Sequence, residues 1–272
     1  MQTVKTPLAI FFLILLHACG GSSSSSSPSN TGNNNSNTPA LPVNSGSVNA
    51  NFVANSKSPT LFLMSEGLTA RAIASSFTQE NGAITQAGNF TFTGTPHVTR
   101  DIAGDADFAA GRWVWGTITD TSTNTVRATL DQTNRALATW HYLLVNTLSA
   151  LPTSGSKTCD SGSFTPPTLI SGALAGTTGT VAGSAASLSF TASGAVLGFT
   201  ISTTANGLTS SAIYSSTNLS LGSTDLNGST GVNGAWIYLS DAGSGAIGIS
   251  GLYSSRFQDG SVYSGVYTFK CV

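Results

Sequence analysis

The sequence predicts an all-β protein, and two observations carry that prediction. Charged residues make up 8% of the 272-residue chain, against about 25% in a typical soluble domain, and strong helix formers are scarce. Thr, Val, Ile, Phe and Tyr instead recur in short runs interrupted by glycine, which is typical of strands joined by tight turns. We expect a small antiparallel barrel of the eight-stranded type in the C-terminal half, preceded by a mixed, mainly β segment and a disordered tether.

Residues 1–18 have the pattern of a bacterial lipoprotein signal peptide. Lys5 precedes an unbroken apolar run that ends in Leu16-His17-Ala18-Cys19-Gly20. Signal peptidase needs small residues before its cut, and a cysteine directly after the cut offers a thiol for lipid attachment. We therefore expect the mature chain to begin at a lipidated Cys19. The alternative is an ordinary secretory signal with an incidental cysteine, and the apolar run is too short for a membrane span of about 20 residues.

Residues 19–42 are expected to form a flexible tether. Six consecutive serines, Ser22 to Ser27, are followed by an Asn/Gly/Ser/Thr stretch that ends near Pro42. Such a segment has almost nothing to bury, so it cannot offset the entropy lost on folding. A spacer at this position would hold a folded domain clear of the lipid headgroups.

Residues 43–151 form a mainly β region in this interpretation. Strands are predicted at Asn89–Thr93, Arg112–Thr119 and Thr139–Asn146, from β-branched and aromatic content. Residues Ser65–Ala74 are compatible with a short helix, although Gly67 weakens that prediction.

The predicted strand Arg112–Thr119 carries two tryptophans. A strict two-residue alternation places Trp113 and Trp115 on the same face of the strand. Either the pair is buried in the core, as most tryptophans are, or it forms a partly exposed aromatic patch that contacts a ligand. The sequence leaves both interpretations open.

Residues 152–272 show the most regular strand pattern of the chain. Proline and glycine in Leu151–Ser156 mark a joint between the two regions. Beyond it, Ser193-Gly194 and Gln258–Gly260 read as hairpin turns. Antiparallel strands with one apolar face bury that face by curling into a barrel. The predicted strands beyond the first hairpin are Leu208–Tyr214, Ala235–Leu239, Ala246–Tyr253 and Val262–Lys270.

Two cysteines remain once Cys19 is assigned to lipid. Cys159 and Cys271 form an even pair in an exported chain, for which a disulfide is the simplest interpretation. It would close a loop of roughly 110 residues and contribute on the order of 4 to 5 kcal/mol through chain entropy. Free thiols or half of a metal site are the alternatives.

No catalytic signature emerges, and we expect a protein that is not an enzyme and that has no cofactor or metal. No Gly-x-Ser-x-Gly elbow is present, and the two glutamates, Glu66 and Glu80, have no convincing acidic partner. His141, between Trp140 and Tyr142, is better explained as a packed histidine than as a base. A small polar or cation-binding cluster of His97 with Asp105 and Asp107 is weighed against an ordinary solvated loop.

The charge balance excludes nucleic acid as a partner. Ten basic residues face eleven acidic ones, and no basic cluster supplies the electrostatic footprint that nucleic acid or anionic lipid needs. The expected membrane contact is the N-terminal lipid alone.

Several segments together resemble a known family. After the Cys19 signal and the Ser/Asn-rich tether come Gly111–Gly116, with the letters GRWVWG, then Trp140–Tyr142, Ala150–Gly155 and a Gly/Ser-rich strand meander. This order resembles bacterial outer-membrane lipoproteins with a barrel of the transferrin-binding-protein-like type. The resemblance covers mainly Arg112 to Phe269 and implies a lipidated eight-stranded barrel that is displayed on the cell surface. In this family the barrel often holds a host protein, a haem protein or nothing yet identified.

The sequence therefore predicts an outer-membrane lipoprotein, surface-exposed or facing the periplasm, whose barrel binds an unidentified macromolecule such as a host or envelope protein. Gly20 after the lipidated cysteine favours the outer membrane by analogy with enteric sorting. The alternative is a structural envelope or surface-coat lipoprotein without a specific ligand. A membrane-spanning barrel is disfavoured because several strands are too short or too glycine-rich for a lipid-facing band.

Overall fold

The fold consists of antiparallel strands arranged in two sheets. The computed structural model describes residues 42–131, 139–172, 178–228 and 233–272, and within these ranges it contains strands and no helix. The larger sheet curls into a half-barrel, so the predicted all-β, antiparallel fold class is confirmed. Among the described residues no helix is long and apolar enough to cross a membrane. The predicted leader, Cys19 and the tether before Pro42 lie outside the described residues.

The strands are numbered here in chain order. The first eight are β1 (Thr60–Ser65), β2 (Leu68–Ile73), β3 (Phe77–Glu80), β4 (Ala83–Ala87), β5 (Phe90–Gly104), β6 (Phe108–Asp120), β7 (Thr125–Leu130) and β8 (Trp140–Thr147). The next seven are β9 (Gly155–Thr158), β10 (Ser163–Phe164), β11 (Thr168–Ser171), β12 (Thr180–Gly183), β13 (Ser187–Thr191), β14 (Gly194–Ala205) and β15 (Leu208–Leu219). The last four are β16 (Thr224–Gly228), β17 (Gly234–Asp241), β18 (Ile247–Arg256) and β19 (Val262–Cys271).

The larger sheet has two limbs that join at β8. Its N-terminal limb contains β1 to β8, and its C-terminal limb contains β10, β11 and β16 to β19. The limbs are joined where Ser240 and Asp241 of β17 pair with Thr147 and Asn146 of β8. The smaller sheet is formed by β9 and β12 to β15. The regions 43–151 and 152–272 thus share one sheet, although the predicted joint at Leu151–Ser156 does follow β8, where no strand forms before Gly155.

Three large hydrophobic clusters and a small fourth one form the core, because several strands are buried on both faces. In β8, Tyr142 and Leu144 pack into the N-terminal limb, while the alternating Leu143 and Val145 face the C-terminal limb, as the two-residue period requires. The third cluster lies between β17–β19 and the smaller sheet, where Phe199 packs 5.2 Å from the ring of Tyr267.

The hairpins predicted from turn residues in the sequence are present in the structure. The chain reverses before Gly194 between β13 and β14 and again at Gln258–Gly260 between β18 and β19, as predicted. The short helix at Ser65–Ala74 is wrong. Glu66-Gly67 forms the turn of the β1–β2 hairpin, with Gly67 at a φ of 71°, and pairing of β2 with β1 replaces the helical alternative.

Candidate functional site

The predicted disulfide is present and joins the two sheets. The Sγ atoms of Cys159 and Cys271 are 1.99 Å apart, and both residues are buried. Cys159 directly follows β9 of the smaller sheet, and Cys271 ends β19 of the larger sheet. Thr158 and Val272 exchange two backbone hydrogen bonds, of 3.0 and 2.9 Å, beside it. The disulfide therefore fixes β19 to the start of the smaller sheet.

Trp113 and Trp115 do not share a face. The pairing of β5 with β6 places Thr99 opposite Trp113 but Val98 opposite Trp115, so Val114 is an inserted residue in the ladder. Such a β-bulge reverses the alternation beyond it, and the shared-face prediction is wrong for this reason. Trp113 is fully buried and its indole N–H donates to the Ile84 carbonyl at 2.8 Å, whereas Trp115 is half-buried.

His97 and the two nearby aspartates are used within the protein. His97 Nδ1 lies 3.1 Å from the Gly94 carbonyl oxygen. The Asp105 carboxylate accepts the backbone N–H groups of Asp107 and Phe108, and Asp107 pairs with Lys270 at 2.9 Å. No group of three His, Cys, Asp or Glu residues suited to a metal ion occurs in the part of the chain that the structure describes.

A polar cavity of about 240 Å³ lies beside the Lys270–Asp107 pair. Asp105, Asp160 and Asp241 also line it. These carboxylates hold the surrounding chain: Asp160 accepts the backbone N–H of Lys270 at 2.9 Å, and Asp241 accepts the side-chain amide of Asn55, also at 2.9 Å. The carboxylates that make this cavity acidic are therefore explained by their hydrogen bonds and ion pair within the protein.

His141 is the centre of a fully buried polar network. Its Nδ1 lies 2.7 Å from Thr165 Oγ1, and its Nε2 lies 2.7 Å from Thr168 Oγ1. Burial, and then the charge of Arg112, hold the pKa of His141 well below its usual value. Arg112 itself is paired with Asp101 at 2.5 Å. The neutral imidazole thus joins β8 to the start of β11 and to the segment before it, in agreement with the packed histidine predicted.

The two limbs leave an apolar opening between β2 and β16, which we call the seam cavity. It has a volume of about 210 Å³. Met64 and the residue opposite it, Thr69, form one wall. The cross-strand row of Leu226, Trp236 and Leu252 forms the other. Leu226 is 62% exposed, and none of the described residues that line the cavity is Asp, Glu, Lys, Arg or His.

Arg71 links β2 to β16 and β17 beside the seam cavity. From β2 its guanidinium lies 4.5 Å from the ring centre of Tyr238. It also donates to Thr224 Oγ1 at 2.7 Å and to the Gly222 carbonyl at 2.8 Å. Thr224 pairs with Tyr238, and this pair lies two residues along the strands from the Leu226–Trp236 pair. The Arg71 contacts therefore lie next to the seam cavity, on the same face of the sheet.

Sequence reasoning missed the seam cavity, although one signal pointed to it. In β17, Ala235, Ile237 and Leu239 form one apolar face, while Trp236 and Tyr238 place aromatic rings on the other. A strand with two apolar faces needs a cover on both sides. The described residues cover the second face only in part, and the seam cavity lies where that cover ends.

Comparison with known proteins gives this chain no relatives. No protein family, no curated protein and no solved structure matches it.

Proposed function

We propose that this protein is a lipid-anchored outer-membrane lipoprotein whose β domain binds a macromolecule without catalysing a reaction. The Cys19 motif and the apolar run before it support the anchor. The Cys159–Cys271 disulfide suits an oxidising compartment outside the cytoplasm. Membership of the transferrin-binding-protein-like lipoproteins stays a prediction from the sequence, as does a surface-exposed or periplasm-facing position.

The seam cavity is the observation that carries the binding function. Here Leu226 is 62% exposed and Trp236 is half-buried, and both line an apolar cavity of about 210 Å³ between the two limbs of the larger sheet. Binding sites are concave, mostly apolar, and furnished with a few polar groups at the edge. Asn227 and Ser254 supply such groups. The absence of charge in this lining favours an uncharged contact on an envelope or host protein over nucleic acid.

A structural envelope role is the second candidate, and the smaller sheet favours it. Strands β13, β14 and β15 contain no charged residue, and serine and threonine hydroxyls make up most of their outer face, which also carries the exposed Ile213. These hydroxyls bond to one another, as Ser202 does to Ser211 at 2.9 Å and Thr204 to Thr209 at 3.0 Å. A surface whose hydrogen bonds are satisfied internally suits a neutral coat without a ligand.

The anchor is tested with Cys19→Ala in the full chain, expressed in a Gram-negative host. We expect this variant to lose palmitate label and to leave the membrane fraction, while a Cys159→Ala/Cys271→Ala variant keeps the label. Membrane retention of Cys19→Ala with unchanged label would refute the anchor. Protease digestion of intact and permeabilised cells then distinguishes the outer face from the periplasm.

The binding function is tested by crosslinking on cells that carry the full chain. Leu226→Asp places a charge in the seam cavity, and Leu221→Asp is its matched control, because Leu221 is also exposed, at 42%, but does not line the cavity. We expect a crosslinked partner that disappears with Leu226→Asp and persists with Leu221→Asp. No crosslinked partner in any of the three chains would refute the binding function and favour the coat, and the same crosslinks in all three would refute the seam cavity as the binding site.

A further inference from the structure

We propose that the seam cavity binds a single uncharged aromatic ring, carried on a side chain of the protein partner. This inference rests on the proposed function, because it names the chemical group that the same cavity recognises. It follows from the volume, the wall chemistry and the edge of the cavity.

The volume matches one ring. An apolar protein cavity of about 150 Å³ takes up benzene, and the seam cavity measures about 210 Å³. It therefore accommodates a phenyl or phenol ring with its first methylene. A long acyl chain needs an extended channel, and the Arg71 contacts with Tyr238 and Thr224 lie across the seam one step further along the strands.

The walls favour an aromatic group over an aliphatic one. Trp236 offers an indole for an offset or edge-to-face contact. Across the cavity, the thioether of Met64 suits the edge of a ring, since sulfur–aromatic contacts contribute about 0.3–1.5 kcal/mol. Leu252 completes an apolar surface.

The edge of the cavity suits an uncharged ring that carries a polar atom. Asn227 lines it beside Leu226. Its amide nitrogen donates to the Ser215 carbonyl, and an amide oxygen can accept a hydrogen bond. A tyrosine hydroxyl or a tryptophan N–H pairs with such a group. A carboxylate or ammonium would find no opposite charge among the lining residues and would lose its hydration.

Aromatic side chains are also the groups that anchor protein complexes. Tyr and Trp are enriched among the residues that dominate binding energy, where they fill pockets at the centre of an interface. Leu226, 62% exposed, lies where it would be covered by the surrounding contact. An aromatic anchor from a partner would complete the core that the two limbs leave open.

The fit of an aromatic ring in the seam cavity is tested first with a substitution in the protein itself. Thr69→Phe, opposite Met64, places a phenyl ring at the seam cavity, and we expect the melting temperature to rise by about 3 °C because the ring is buried. Val126→Phe is the matched control, since Val126 is an edge-strand residue, 58% exposed, that does not line the cavity. Equal melting temperatures for the two variants would overturn the fit.

The ligand chemistry is tested with N-acetyl-tyrosinamide and N-acetyl-leucinamide on the full chain, by saturation-transfer NMR. We expect the tyrosine probe to give at least five times the signal of the leucine probe, to lose that signal in Thr69→Phe, and to keep it in Val126→Phe. Equal signals from both probes, or tyrosine signal that survives Thr69→Phe, would overturn the inference whatever the crosslinking shows.

The source of the ring is tested by competition. The tyrosine probe is expected to reduce the crosslink that depends on Leu226, whereas the leucine probe leaves it unchanged. A Leu226-dependent crosslink that the tyrosine probe leaves intact would refute the ring and spare the proposed function. Probe binding without any crosslink would refute the proposed function and overturn the partner as the source of the ring.

Discussion

Three buried tyrosines of the larger sheet each lie opposite a glycine on the neighbouring strand. The pairs are Tyr142 with Gly111, Tyr253 with Gly265, and Tyr267 with Gly251. Beside Gly111 and Gly265 the tyrosine ring covers the space that the missing side chain leaves, whereas beside Gly251 the Trp236 carbonyl takes that space. The tyrosine hydroxyls reach further. Tyr253, for example, donates to the Thr165 carbonyl at 2.9 Å. Glycines that a composition count treats as strand breakers therefore fix the positions of the largest core side chains.

Gly265→Ala tests this arrangement. A methyl group at residue 265 would lie 2.6 Å from the Tyr253 hydroxyl oxygen and 2.8 Å from its ring, so the ring must move. We expect the free energy of unfolding to fall by about 2 kcal/mol through overpacking, measured by urea denaturation. Gly198→Ala is the control, because its nearest atom would be 3.5 Å away. Equal losses in both variants would contradict the role of the ring.

His141 makes the stability of the domain depend on pH. Its pKa is lowered in the folded state, because it is buried and lies near Arg112, whereas the unfolded chain takes up the proton near pH 6.5. The contribution of the neutral ring is thus complete above pH 6.5 and is lost as the pH falls below it. The expected slope is about 1.4 kcal/mol per pH unit.

Urea denaturation between pH 7.5 and 5 measures this slope. Asp120, whose pKa is lowered to about 2 by hydrogen bonds from Ser122 and Arg127, stays ionised in that range. His141→Gln is expected to be less stable at pH 7.5 but to have a flatter profile. His97→Gln is expected to keep the wild-type slope, and a flat wild-type profile would contradict the buried neutral histidine.

At the scale of elements, strands and tight turns were predictable, but local irregularities were not. Apolar alternation and turn residues located β13, β14, β18 and β19 closely. The same rule failed at Val114, because one inserted residue reverses every later side chain and leaves no mark in composition. Residues 68–73 were ambiguous because alanine and arginine favour a helix locally, and only pairing with β1 decides for a strand.

Arg71 is expected to determine how firmly β2 and β16 are held together. Arg71→Met removes the contact with the Tyr238 ring and two charged hydrogen bonds, so we expect a loss of about 2 kcal/mol in unfolding free energy. Hydrogen exchange should accelerate in β2 and β16 more than in β18. Arg100→Met, at an exposed residue of β5, is the control and should change stability by less than about 0.5 kcal/mol. Unchanged exchange in β2 would refute this role.

At the scale of the molecule, the sequence predicted the class and the disulfide but not the site. Cys159 and Cys271 were paired by counting, which needs no geometry. The seam cavity instead joins Thr69 to Leu226. Their approach depends on how far the larger sheet curls and on where two unpaired edges stop. The curl of the sheet is the sum of small twists between many neighbouring strands, so no local sequence pattern predicts it.

Removing the disulfide is expected to destabilise the whole domain. It closes a separation of 112 residues, for which chain entropy predicts about 4.7 kcal/mol. The Cys159→Ala/Cys271→Ala variant should therefore melt roughly 10 °C lower than the oxidised chain. Reductant should lower the wild-type melting temperature and leave that of the double variant unchanged. Identical melting of wild type with and without reductant would contradict a stabilising disulfide.

The separation of the two cysteines also sets the order of events during synthesis. Cys159 emerges from the ribosome 112 residues before Cys271, an interval on the order of ten seconds at bacterial elongation rates. Throughout that interval β19 is missing, and with it the partner strand of β10, β11 and β18. The nascent C-terminal limb therefore cannot close early.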